Sequence, residues 1–248
     1  MKRLAMGLIL GVTLLAGVLP AAAQLEGQPI SNGDSVTGKI TNVDFDVLYS
    51  FEGKAGDVVE IEMLSVGEAG FDPYLYLTTP ENNILARNDD YYDLNARIVA
   101  RLPADGTYVI VATRLGERSG SGEGNFELHL QQIPVAAAGQ VLEGSASYGE
   151  RPPTHVIVLE QSGLYTLTYT QVRGSYYPAL IVSWVNPDSN YDEDVAQLSA
   201  RGLRGGSLTL ELQADAIYAL SVEQNPHDYS ATTGDSALYT IKVEAAAE

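Results

Sequence analysis

Residues 47–63 read VLYSFEGKAGDVVEIEM, and residues 155–169 read HVIVLEQSGLYTLTY. In both, an apolar run enters a turn that closes on glycine, Gly56 or Gly163, and a second run leaves it. Val59, Ile61 and Met63 alternate with Val58, Glu60 and Glu62. A two-residue period sends successive side chains to opposite faces, so this reads as a strand with one buried and one wet face. The same alternation holds for Phe126, Leu128 and Leu130 against Asn125, Glu127 and His129, and for Leu208, Leu210 and Leu212 against Thr209 and Glu211. Turn residues recur along the chain, at Asn32-Gly33-Asp34, Asp105-Gly106 and Gly120 to Gly124. No segment after the leader has the period of an amphipathic helix. Short strands at such spacing predict an all-β chain of antiparallel, jelly-roll-like β-sandwiches.

The two quoted stretches belong to a longer repeat. VTGKIT at 36–41 is matched by VLEGSAS at 141–147, with Gly38 answering Gly144. FDPYLYLTTPENN (71–83) is matched by YYPALIVSWVNPDSN (176–190), each an apolar strand between prolines. An acidic loop follows in both, NDDYYD at 88–93 and DED at 192–194. ARIVARLPADGTYVIVAT (96–113) then answers SLTLELQADAIYALSVEQ (207–224), with Ala-Asp-x-x-Tyr at Ala104 to Tyr108 and at Ala214 to Tyr218. A closing strand ends each half, NFELHLQQI or ALYTIKVE. A period near 110 residues is too long for a solenoid and predicts two whole domains in tandem. The expected boundaries are a leader at 1–23, a first module at 24–133, a linker at 134–139 and a second module at 140–248.

The leader reads MKRLAMGLILGVTLLAGVLPAAAQ over residues 1–24. A basic start at Lys2 and Arg3, a short apolar core and Ala21-Ala22-Ala23 form the pattern of a cleaved secretory signal peptide. The expected location is therefore secreted or periplasmic, with no membrane insertion after cleavage. Net charge is −18, and two of the 14 basic residues lie in the leader. So acidic a chain offers no basic face for nucleic acid. With no cysteine, disulfides and thiolate metal sites are excluded.

Taken together, VTGKIT, YSFEGKAGDVVEI (49–61), FDPYLYL (71–77), NDD (88–90) and LPADGTYVIV (102–111) resemble the bacterial pre-peptidase C-terminal domain family. The resemblance covers about 95 residues of the first half. The second half looks like a degenerate copy, with Tyr177 in place of Asp72 and Ala216 in place of Gly106. The family implies a β-sandwich exported beside a peptidase or another secreted protein, and some relatives bind calcium or extracellular polymers. No peptidase domain is expected beside the two sandwiches in residues 24–248.

The best polar constellation is Asp72, Asn88, Asp89, Asp90 and Asp93. Calcium takes six to eight hard oxygens from carboxylates, amides and carbonyls, and a hairpin would bring Asp72 to the acidic loop. A solvated turn is the competing reading, since Asn and Asp suit turn geometry. In the second half Asp188, Asn190, Asp192 and Asp194 alternate. Glu193 stands where an EF-hand has glycine and Ser199 where it has glutamate, so this is not an EF-hand. Tyr91 and Tyr92 are candidate ligand-binding residues, because loop tyrosines give contact area and a hydroxyl at low entropic cost. His129, His155 and His227 stand at no metal-site spacing, and neither HExxH nor GxSxG occurs. The resulting expectation is a non-enzymatic binding or scaffolding protein. Its expected partner is an extracellular or envelope polymer or protein, with calcium as the cofactor. A secreted hydrolase or hydrolase accessory subunit with a dispersed site is the alternative.

Overall fold

The computed structural model describes residues 26–67, 71–91, 94–148, 154–175, 178–186, 193–199, 204–223 and 232–246. The leader, Tyr92, Asp93, Tyr177, His227 and Asp188 to Asp192 lie outside them. The first half holds β1 (Gln28–Pro29), β2 (Ser35–Ile40), β3 (Val47–Gly53), β4 (Val58–Val66), β5 (Pro73–Thr78), β6 (Ile84–Asn88), β7 (Ala96–Arg101), β8 (Gly106–Arg114) and β9 (Gly124–Gln132). The second holds β10 (Val135–Ala136), β11 (Val141–Ser147), β12 (Thr154–Val158), β13 (Gly163–Gly174), β14 (Ala179–Trp184), β15 (Glu193–Leu198), β16 (Gly205–Leu212), β17 (Ile217–Glu223) and β18 (Ser236–Ala245).

These strands make two β-sandwiches. The first stacks sheet β1-β3-β8-β5-β6 on sheet β2-β9-β4-β7. The second stacks β10-β12-β17-β14-β15 on β11-β18-β13-β16, the same order strand for strand. Pairing is antiparallel except at β1–β3 and β10–β12, which are parallel. Within 134–139, the expected linker, Val135 and Ala136 form β10 and pair with Val156 and Ile157. A two-residue edge strand carries too short a pattern to be read from sequence.

The matched landmarks have local causes. Gly38 pairs with Phe126 across β2–β9, and Gly144 with Tyr239 across β11–β18. A Cβ at Gly38 would collide with the tip of the Phe126 ring, and one at Gly144 with the hydroxyl end of Tyr239. Each glycine leaves room for an aromatic ring on the neighbouring strand. Tyr108 donates its hydroxyl to the Ala104 carbonyl at 2.7 Å, pinning the turn before β8. Tyr218 accepts from the Gln213 N–H at 2.9 Å and pins the turn before β17.

The inward residues of both sheets form one core per sandwich. Val59, Ile61, Leu75, Leu77, Ile110 and Leu128 are buried in the first. Leu167, Leu180, Leu212, Leu220 and Ile241 are buried in the second. Leu210, expected in this core, is only half-buried and packs at its margin.

The outer face of β4 differs from its expected wet state: Val58, Glu60 and Glu62 are all buried. Val58, Val99 and Ile133 join Val156, Val185 and Ala219 in a third apolar cluster. At Val58 and Val99 the outer face of β4–β7 thus packs on residues of the second sandwich, which covers there what the strand period alone leaves in water.

Candidate functional site

Asp72 immediately precedes β5, and Asp89 follows β6. Leu75 pairs with Asn88 in the β5–β6 ladder, so both acidic segments fall at one end of the first sandwich. Asp72, Asp89 and Asp90 interact there. Burial raises the pKa of Asp72, and the negative charges of Asp90 and Asp89 raise it further. Burial and Asp90 raise that of Asp89 in the same way, opposed by backbone N–H donors of Asp89 and Asp90 and by Arg87. The inner oxygens Oδ1 of Asp72 and Asp89 are buried and accept no hydrogen bond. A buried carboxylate oxygen without a donor is costly unless a proton or a cation meets it. The carboxylates repel one another and do not converge. Among the described residues, no group of three or more His, Cys, Asp or Glu is arranged to hold a metal ion.

Asn88 does not join that set. Its side-chain oxygen accepts the backbone N–H of Arg97 at 2.8 Å, tying the end of β6 to β7. Tyr91 is half-buried, and its ring lies under the Arg97 guanidinium, 4.2 Å from carbon to centroid. It therefore serves as a cation–π platform, where the sequence suggested an open ligand contact. Asp93 and Tyr92 fall outside the described residues.

Arg97 is the centre the sequence reading missed. Its Nε donates to Glu60 Oε1 at 2.6 Å, Glu62 Oε1 stands 3.9 Å away, and all three side chains are almost wholly buried. Gln131 donates its side-chain amide to the other oxygen of Glu60. Arg97 also acts across the junction: Glu223 on β17 is pushed up by burial and by Asp194, and Arg97 partly offsets this. The available signal was two glutamates two residues apart on one strand, a pattern that equally describes a wet face.

The two described histidines each face a neighbouring side chain. His155 Nε2 is 3.0 Å from the Tyr239 hydroxyl, and burial lowers its pKa, favouring the neutral ring. His129 is half-exposed, with Nε2 3.6 Å from Glu127. Among the described residues, a cleft of about 370 Å³ is lined by Phe51, Val59 and Leu130, and another of about 440 Å³ lies between the sandwiches beside Trp184.

Fold and site thus define an all-β protein of two stacked sandwiches with an acidic corner on the first. Residues 46–114 match the family model of the bacterial pre-peptidase C-terminal domain. Among curated proteins, the chain is 36% identical over 98 residues to a probable subtilase-type serine protease of Deinococcus radiodurans. That match covers 37% of this chain and 13% of the relative, so the chain spans a small part of the relative's length. Among solved structures, the pre-peptidase C-terminal domain of a Bacillus anthracis collagenase aligns with TM-score 0.35 and 19% identity, over 43% of this chain and 95% of that one. A tandem CBM22 pair from Paenibacillus barcinonensis Xyn10C aligns with TM-score 0.25 and 10% identity, over 80% and 83%.

Proposed function

We propose that the chain is a secreted or periplasmic, non-catalytic binding or scaffolding protein built of two pre-peptidase C-terminal-like sandwiches, the second a degenerate copy. It works on an extracellular or envelope polymer or protein, and calcium stabilises its first module. The observation behind the calcium assignment is the placement of Asp72, Asp89 and Asp90 at one end of the first sandwich, with buried oxygens of Asp72 and Asp89 that accept no donor. Hard carboxylate oxygens suit calcium, and a divalent ion would draw together groups that otherwise repel. The binding role is supported by the match over 46–114 and by the engagement of His155 with Tyr239. The alternative, an accessory subunit of a secreted hydrolase, draws support from the protease named among its relatives. Co-purification with a separate exported peptidase would favour it.

A ligand that binds only the folded state adds stability by mass action, about 2.7 kcal/mol at a hundredfold excess over its dissociation constant. The melting temperature should therefore rise with millimolar calcium and fall back with chelator, and the double variant Asp89→Ala with Asp90→Ala should lose the response. Equal melts with calcium and chelator in the unaltered protein would refute the assignment. The pH dependence has a definite sign. Asp72 and Asp89 have folded pKa values raised above the ordinary 3.8, so their charged forms disfavour the fold. In chelator, their contribution to stability should fall as pH rises from about 3.8 through the raised values. The calcium increment should grow across the same window.

A further inference from the structure

The cleft of about 370 Å³ lies where β3 ends beside the start of β8. The acidic corner lies at the other end of the same sandwich, where β5 starts beside the end of β8. The volume of the cleft is within the usual span of small-ligand sites, about 300–1,000 Å³. Phe51, Val59, Leu102 and Leu130, contributed by both sheets, give it an apolar lining. Glu52 and Asp57 bring charge to it, and among the described residues no Lys, Arg or His lines it. Lys54, in the turn between them, is exposed and is not a lining residue. Both carboxylates have acceptor capacity to spare. Glu52 takes the Thr107 hydroxyl at 2.6 Å and Asp57 the Lys54 N–H at 3.3 Å, out of roughly four acceptor sites on each.

The second sandwich has a cleft at the equivalent place, of about 210 Å³. Val59 pairs with Ala100 and Gln132, and Tyr165 pairs with Leu210 and Ala245, so the two hold one position in the shared strand order. Tyr165 lines the smaller cleft and donates its hydroxyl to the Gln161 carbonyl at 2.9 Å, taking up space that Val59 leaves free. Ser31 and Asn32 are answered by Ala137 and Ala138, each pair ahead of a glycine of positive φ, Gly33 or Gly139. Glu52, opposite Thr107, is answered by Val158, opposite Ile217. Of the charges lining the second cleft, Glu160 remains. A larger volume and a polar rim therefore occur together in the first sandwich, and both are reduced in the second.

We propose that the first cleft binds the lysine or arginine side chain of a basic polypeptide, with the aliphatic stem against Phe51, Val59 and Leu130 and the cationic head at Glu52 and Asp57. Long cationic side chains bury their stems on apolar surface while the head stays at a polar, wet rim. A net charge of −18 attracts such a partner over distances longer than the cleft itself. The inference rests on the binding role proposed above and is independent of calcium at the opposite end.

Amide chemical shifts of the full chain, followed during titration with three probes, test it. The probes are a capped peptide carrying one lysine among glycines and serines, the same peptide with that lysine Nε-acetylated, and n-butylamine. The lysine peptide should shift the Gly53 and Thr107 amides saturably, and the acetylated peptide should bind about tenfold or more weakly, as expected for loss of a charged hydrogen-bonding head. Val59→Tyr gives the first cleft the side chain of the second and should abolish binding without a change in net charge. Ser31→Trp, at the exposed rim, should do the same and carries the test if the buried substitution disturbs folding. Glu52→Gln with Asp57→Asn should weaken the lysine peptide about tenfold or more. Equal binding of the lysine and acetyl-lysine peptides, or binding untouched by Ser31→Trp and by the double variant, would overturn the proposal. Butylamine binding as tightly as the peptide would overturn the polypeptide assignment. No shift with any probe would overturn this occupant and leave the binding role to other polymers. A missing calcium response in thermal melts would count against the acidic corner alone.

Discussion

Arg97→Ala should cost about 3–5 kcal/mol, because it removes the guanidinium that faces the buried Glu60 and Glu62 carboxylates. The side chains of all three are 1–3% exposed, so water offers little relief. The loss measures stranded charge, and the intact cluster need not be a net source of stability. Removing Arg97 and Glu60 together, as Arg97→Met with Glu60→Met, should therefore cost less than Arg97→Ala alone. Urea denaturation gives both values. Loss of Arg97 also removes the platform partner of Tyr91 and the group that offsets Glu223, so both sandwiches should respond. A loss under about 1 kcal/mol would mean that solvent already reaches the carboxylates, contrary to their burial.

How much of this was legible in the sequence follows from the range of each interaction. Strand alternation is local, so Val59, Ile61, Phe126 and Leu128 could be placed in the core from their neighbours alone. The corresponding order of landmarks in the two halves is also visible in the chain, and both halves have one strand order. The hairpin that brings Asp72 near Asp89 spans fewer than twenty residues and could be anticipated. The outer face of β4 could not. Whether Glu60 and Glu62 meet water or Arg97 depends on β7, some 37 residues away, and on a second sandwich that covers both strands. The contacts of Asn88 and Tyr91 with Arg97 are hidden for the same reason, since both are loop-type residues on sequence and Arg97 lies on another strand. A polar residue's role is set by what packs over it, and here that comes from a distant part of the chain.

Phe126→Ala should destabilise the first sandwich by about 3–5 kcal/mol, the usual range for removing a fully buried aromatic ring. The ring fills the space left by Gly38 on the adjacent strand and meets Tyr49 edge to face, with centroids 6.4 Å apart. The two positions should consequently be coupled. Gly38→Ala alone forces a methyl group into the ring position and should cost about 1–3 kcal/mol as overpacking. Placed on Phe126→Ala, the same methyl enters the vacated space, and its cost should vanish or reverse in sign. A double-mutant cycle measured by denaturant unfolding reads this coupling directly. Additive losses would show that the glycine serves backbone conformation and that ring accommodation is not its role. Gly144 and Tyr239 repeat the arrangement in the second sandwich, with one difference that sharpens the comparison. The Tyr239 hydroxyl also meets His155 Nε2, so Tyr239→Ala strands a half-buried polar group where Phe126→Ala strands none. In that cycle Gly144→Ala should recover less of the loss than Gly38→Ala does in the first.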